Sequence, residues 1–388
     1  MDHDSYRYNI GSSQSQEQDL AQVSSKHVSR FLHHKTAMTF TVNNLVGSDS
    51  SVGAAQTDPN LLNPWGISES PTGPFWISDN GSGLTSIYKA TSSGVTTNAI
   101  DPITIAVPSG QTPGTAAPTG QVFNSFQSDG AFKLQDGSAA TFLFATEDGT
   151  ISGWNSAAGT QSIIAVNEAD NPAAGDEALG LGAVYKGLAI GAGDDGPLLF
   201  AANFRHGTVD TYDQNFNLIN SFSDPNVPQG FAPFNVQVLE NKLFVTFAQQ
   251  DDTKHDDVAG AGNGFVDEFD LNGNMLQRIA SNGPLDSPWG LAIAPQSFGR
   301  LAGDLLVGNF GDGTINAFNL NADDFAGKLL GTDGKPITIG DLWAITRGNG
   351  GSGGDANTLY FTAGVKNEAQ GVFGSLTPNP AAAHSMFG

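Results

Sequence analysis

The sequence predicts an all-β fold: a six-bladed β-propeller with four-stranded blades, the last blade closed by an N-terminal strand. Three observations predict it. Short apolar or alternating runs begin at Met38 and are punctuated by Gly, Asn, Asp and Pro, as strands and turns should be. The runs recur as a unit that can be written six times, and one unpaired run precedes the first unit while the sixth unit stops a strand short.

Residues 1–37 are polar, with a Ser/Gln cluster at Ser12 to Gln18, and read as a flexible arm. Leu20, Val23, His27 and Phe31 are spaced for one short amphipathic helix there, and His33 and His34 read as incidental. The propeller is expected over 38–377, followed by a tail at 378–388. Its first unit runs from Asn63-Pro64-Trp65-Gly66 through Phe75-Trp76-Ile77-Ser78-Asp79-Asn80 to Thr85-Ser86-Ile87-Tyr88. The fifth repeats it closely, from Ser287-Pro288-Trp289-Gly290 through Leu305-Leu306-Val307-Gly308-Asn309 to Gly313-Thr314-Ile315.

Weaker copies open at Pro118-Thr119-Gly120, Tyr185-Lys186-Gly187, Ala232-Pro233-Phe234-Asn235 and Leu342-Trp343-Ala344. A period of about 40 to 60 residues with up to four strands per copy is that of propeller blades rather than of a sandwich. Pairing Thr39 to Leu45 into the sixth blade closes the ring and removes two exposed strand edges. The repeated Trp65 and Trp289 are expected to pack between blades, with substrate stacking as the alternative, and the repeated glycines to serve turns at positive φ.

Composition narrows the functional classes. The formal charge of −23 repels phosphate backbones and anionic membranes, so no nucleic-acid partner is expected. With no cysteine, disulfides, zinc-thiolate sites and thiol nucleophiles are excluded. No run reaches the roughly 18 apolar residues of a membrane span, and no apolar leader is visible after Met1. The acidic, Lys-poor, Ser/Thr/Asn/Gly-rich make-up leads us to expect a secreted or periplasmic protein. Nothing matches a phosphate-binding loop or dinucleotide fingerprint, so no nucleotide or flavin is expected, and a serine-hydrolase elbow is absent.

The Pro-Trp-Gly-Leu opening, the strand ending Val307-Gly308-Asn309-Phe310-Gly311-Asp312-Gly313-Thr314-Ile315 and the segment Phe142 to Trp154 resemble a family of mostly bacterial, exported six-bladed propellers without settled chemistry. That family is similar in blade pattern to NHL-repeat proteins and, more distantly, to gluconolactonase and strictosidine-synthase-like propellers. The resemblance implies a divalent cation, usually calcium, at the channel mouth. The acidic residue that such enzymes place before one innermost strand is matched here by Asn63 or by nothing.

In a propeller the start of each innermost strand and the end of each second strand meet at one face. Asp79, Asn80, Glu147 and Asn309 are therefore the candidate metal ligands, since hard cations prefer carboxylate and amide oxygens. Asn203, Arg205, Asn235 and Trp343 are the candidate substrate-binding residues, with Arg205 gripping a carboxylate or only bracing loops. Lys186, Asp251 and His255 are the candidate catalytic residues. Lys186 acts as a base if desolvation lowers its pKa, or else forms a salt bridge with Glu147 or Asp148. The polar insertion Gln249 to Val258 holds four aspartates and His255, a metal loop or a solvated one. His255 beside Asp256 is an acid/base pair only if the segment is not a strand, where neighbours point apart. The function expected is hydrolysis or isomerisation of a small lactone, ester or sugar-like ligand at a cation-binding pocket. The alternative is a non-catalytic scaffold that binds an extracellular ligand or a protein.

Overall fold

The computed structural model describes residues 38–91, 94–97, 102–105, 116–172, 181–322 and 324–379. The expected arm at 1–37, the turn at Ser92-Ser93 and the tail beyond Asn379 lie outside the described residues. Six antiparallel sheets follow one another along the chain. The first blade comprises Pro64–Glu69, Phe75–Asp79, Leu84–Thr91 and Gly94–Thr97. The second comprises Pro118–Phe123, Phe142–Thr146, Thr150–Trp154 and Ile163–Asn167.

Tyr185–Gly193, Gly196–Asn203, Thr208–Asp213 and Leu218–Phe222 form the third blade. Phe231–Leu239, Lys242–Gln249, Phe265–Phe269 and Met275–Ser281 form the fourth. Pro288–Ile293, Leu305–Asn309, Ile315–Asn319 and Asp324–Lys328 form the fifth. The sixth has only Leu342–Arg347, Leu359–Ala363 and Val372–Asn379 from its own stretch of chain, and Thr39–Gly47 completes it as an antiparallel partner of the last of these. The early strand thus ties the two ends of the ring together, with Phe40 buried against Phe298 at a ring-centroid distance of 4.6 Å.

The cores lie between successive sheets. Leu199, Ala201 and Tyr212 of the third blade pack on Leu143, Ala145 and Ile151 of the second, and the same pattern recurs around the ring. Innermost strands approach so closely that glycine is required at the contact. A Cβ at Gly66 would overlap the carbonyl oxygen of Thr119, and one at Gly120 would overlap the backbone of Gly187 and Leu188. These two glycines sit inside strands and have no positive φ, so there close approach of backbones, not a turn, is the cause, whereas Gly149, Gly207 and Gly313 of the repeated Gly-Thr-Ile/Val segments do turn at φ 77°, 74° and 68°.

All six innermost strands begin with a register shift that adds one residue against the second strand. Such a bulge turns a side chain out of the alternating pattern. The shifts span Trp65, Thr119, Lys186, Phe234, Trp289 and Trp343, one position per blade. Among the described residues no helix is long and apolar enough to cross a membrane.

Candidate functional site

The bulge residues close the channel at one end. Trp65 stacks on Trp343 with centroids 3.5 Å apart, Trp289 meets both edge-on at 6.2 and 5.7 Å, and Phe310 stacks on Trp343 at 4.2 Å. Trp65, Trp289 and Trp343 are each at most 3% exposed. Packing, not an open stacking platform, is therefore what these tryptophans provide.

Lys186 occupies the bulge position that carries an aromatic ring in four other blades, and its Nζ lies 4.9 Å from the Trp65 ring centroid. With 1% of its side chain exposed, the ammonium needs partners. Glu147 Oε1 accepts from Nζ, and Asp256 Oδ1 accepts at 3.4 Å. Burial pulls the Lys186 pKa down, but Glu147, Asp256 and Asp257 more than offset it, and the net direction is up. Of the two roles expected for Lys186, the ion pair with Glu147 is the one the geometry realises.

The remaining mouth residues form a chain of hydrogen bonds across three blades. Asn80 Nδ2 donates to Glu147 Oε2 at 2.9 Å, and Asn63 Nδ2 donates to Glu368 Oε2 at 2.6 Å and to Asn80 Oδ1 at 3.4 Å. Trp343 Nε1 donates to Asn63 Oδ1 at 2.9 Å, so the aromatic floor is fixed to the polar rim. Desolvation pushes the Glu368 carboxyl up to about 7, against the hydrogen bond from Asn63. Burial likewise raises Asp257 to about 6.

The Gln249 to Val258 insertion folds over this rim. Asp251 is spent on its own loop, accepting from the backbone of Thr253 at 3.1 Å and of His255 at 2.9 Å. Lys254, at φ 52°, turns the chain so that His255 Nδ1 and Asp256 Oδ1 come within 2.9 Å. A strand would have pointed them apart, and this loop does not. His255 is 36% and Asp256 65% exposed, while Glu147 is 11% exposed, so the imidazole and one carboxylate face solvent above the buried ammonium. The hydrogen bond from His255 holds Asp256 down at about 2, with Lys186 adding to it.

Glu147, His255 and Asp256 each offer a ligand atom within 4.8 Å of the others, a triad able to hold a metal ion. Of the four metal ligands expected from sequence, the structure brings only Asn80 and Glu147 together. Asp79 is fully buried and its carboxylate accepts from Ser86 Oγ at 2.6 Å inside the first blade. Asn309 donates to Asp312 Oδ1 at 2.9 Å and to the Pro284 carbonyl at 2.8 Å, closing a local turn.

The four expected substrate-binding residues also separate. Asn235 is 3% exposed and donates to the Trp289 carbonyl at 2.6 Å, joining the fourth blade to the fifth. Asn203, 1% exposed, donates to Asp210 Oδ2 at 2.8 Å within the third blade. Arg205 does reach the mouth. Its Nη1 donates to the Gly182 carbonyl at 3.0 Å, its Nε is buried without a partner, and the charges of Asp251, Asp256 and Glu147 act on it. Asp256 as the partner that orients His255 was legible only as a neighbour in sequence; the turn at Lys254 that makes the contact was not.

No family model matches the chain. Two proteins of Acanthamoeba polyphaga mimivirus align over nearly all of it. Uncharacterized protein R648 is 30% identical over 361 residues, covering 90% of this chain and 83% of that protein. Uncharacterized protein L690 is also 30% identical over 361 residues, covering 90% of this chain and 88% of its own length. These relatives are viral, which corrects the mostly bacterial family implied by the resemblance. Among solved structures, a soluble aldose sugar dehydrogenase of Escherichia coli superposes with a TM-score of 0.52 at 12% identity, over 88% of this chain and all (100%) of that one. A glucose dehydrogenase gives 0.51 at 14% identity, over 86% of this chain and 98% of the other. At such identities the likeness shows the propeller fold alone.

Proposed function

The chain belongs to the family of the mimivirus proteins R648 and L690, and we propose that within it this propeller acts as an acid–base hydrolase or isomerase of small lactones, esters or sugar-like carbonyl compounds. One observation carries the reading. His255 Nδ1 lies 2.9 Å from an Asp256 carboxylate that the buried Lys186 also contacts, which leaves the other imidazole nitrogen for a ligand. Asp256 positions the imidazole, and Lys186 and Arg205 supply positive charge near the place where a carbonyl oxygen would gain negative charge. Lys186 is then a positioning residue rather than a base.

One imidazole and two carboxylates suit zinc or manganese better than calcium, which takes six to eight oxygens. An ion held by Glu147, His255 and Asp256 would polarise a bound carbonyl. It would also have to compete with the Lys186 ammonium for two of the same carboxylates. Export stays part of the reading on composition alone.

The test is turnover of a panel of γ- and δ-lactones and aryl esters by the wild type and His255→Gln. The expected outcome is a fall in kcat of about a hundredfold or more with the melting temperature unchanged. Equal turnover by the two proteins would remove His255 from the chemistry. A second reading, a protein-binding scaffold, draws on the outer rim. Leu218 and Ile219 of the third blade, Leu276 of the fourth and Phe325 of the fifth expose 52, 55, 51 and 44% of their surface on outermost strands. A wild type that turns over none of the panel favours that reading.

A further inference from the structure

The end of the channel opposite the tryptophans is open. Innermost strands run from the mouth to this end, so Glu69, the last residue of Pro64–Glu69, lies about 16 Å of strand away from Pro64. A cavity of about 230 Å³ opens there, and Glu69 also lines an adjoining groove of about 410 Å³. The walls are mixed: Ile67, Val122, Leu188 and Val238 supply apolar side chains among polar groups. Oxygen atoms are set into them: Glu69, the Gln237 amide and the Ser68 hydroxyl, the last buried with no hydrogen-bond partner. Among the described residues the Glu69 carboxyl makes no ion pair and accepts no hydrogen bond.

We propose that this far end of the channel is a second binding site, for a small primary alkylammonium cation whose charged head meets Glu69 and whose short carbon chain lies against Ile67, Val122 and Val238. A part-buried carboxylate that accepts no hydrogen bond is costly to ionise, and a cation that brings its own N–H donors lowers that cost. The oxygen acceptors favour a primary ammonium, which donates three hydrogen bonds, over a quaternary one, which donates none. The formal charge of −23 raises the local concentration of any such cation. None of this depends on the chemistry read at the mouth.

Proton linkage makes the proposal measurable. Burial pushes Glu69 up to about 8, with the Arg347 charge opposing it. Arg347 and Glu240 are the charged groups that line the groove with Glu69, and Gln237, Ser68 and Thr346 do not titrate. A cation prefers the ionised form, so binding strengthens as pH rises through about 8.

The experiment is calorimetric titration of the full chain with n-butylammonium chloride in amine-free buffer at pH 7 and 9, beside n-butanol and tetramethylammonium. The expected result is binding about tenfold tighter at the higher pH, weaker binding of both comparison compounds, and loss of the pH dependence in Glu69→Gln. Affinity independent of pH, equal binding of butanol, or an unaltered Glu69→Gln profile would each overturn the proposal. Should that variant fail to fold, the wild-type pH comparison and the butanol arm still decide. Displacement of the amine by millimolar calcium or magnesium would assign the site to a metal instead and overturn it too.

Discussion

Lys186 shows how one residue can make a site out of a packing position. An aromatic ring at that bulge would simply have joined the tryptophan cluster, whereas an ammonium there requires carboxylates, and Glu147 and Asp256 supply them. Glu368, at the other side of the rim, gives a stability test of the same electrostatics. Unfolded, it loses its proton near its ordinary value of 4.5, but folded it keeps the proton to about 7. Its contribution to stability is therefore fully present below 4.5 and is lost as pH rises through 7. Glu368→Gln lacks this term, so the variant should gain on the wild type in melting temperature between about pH 5 and 8. A difference between the two that does not change with pH would contradict the burial of that carboxyl. Sequence alone placed Lys186 and Glu147 at the mouth because they sit at strand ends, and singled out His255 because it lies in the polar insertion Gln249 to Val258. It could not separate Asp79 or Asn309 from them, because which way a strand-end side chain turns depends on local partners such as Ser86 and Asp312.

At the scale of the element, the bulge explains the Pro-Trp-Gly opening. One extra residue re-aims the tryptophan or its equivalent towards the axis, and the following glycine lets the next blade's backbone approach. The repeat was legible because it recurs in composition. The bulge was not, since an added residue looks like any other residue until the register of its partner strand is known. Gly120→Ala should therefore destabilise by about 1–3 kcal/mol through overlap with the Gly187 and Leu188 backbone. Gly340→Ala, where nothing lies within 4 Å of the added carbon, should change stability by less than about 0.5 kcal/mol. Urea midpoints compare them directly, and equal shifts would remove the close-approach argument.

Across the whole molecule, the proposed function depends on ring closure, because the mouth is assembled from residues far apart in the chain. Asn63 and Glu368, 305 residues apart, meet there only because Thr39–Gly47 completes the sixth blade beside the first. The fold could be read from the repeat and the unpaired strand, since both follow from the need to bury strand edges. The chemistry proposed for the mouth could not, since that proposal rests on a ten-residue loop whose turn at Lys254 decides what His255 touches. The pairing of Lys186 with Glu147, two blades' side chains sharing one desolvated site, is the claim on which the mouth rests. A double-mutant cycle with Lys186→Met and Glu147→Gln, followed by chemical denaturation, measures it. The account predicts a coupling of at least about 2 kcal/mol, with Glu147→Gln, which strips the buried ammonium of its main partner, the more destabilising of the two single changes. Additive losses, with a coupling below about 0.5 kcal/mol, would contradict it.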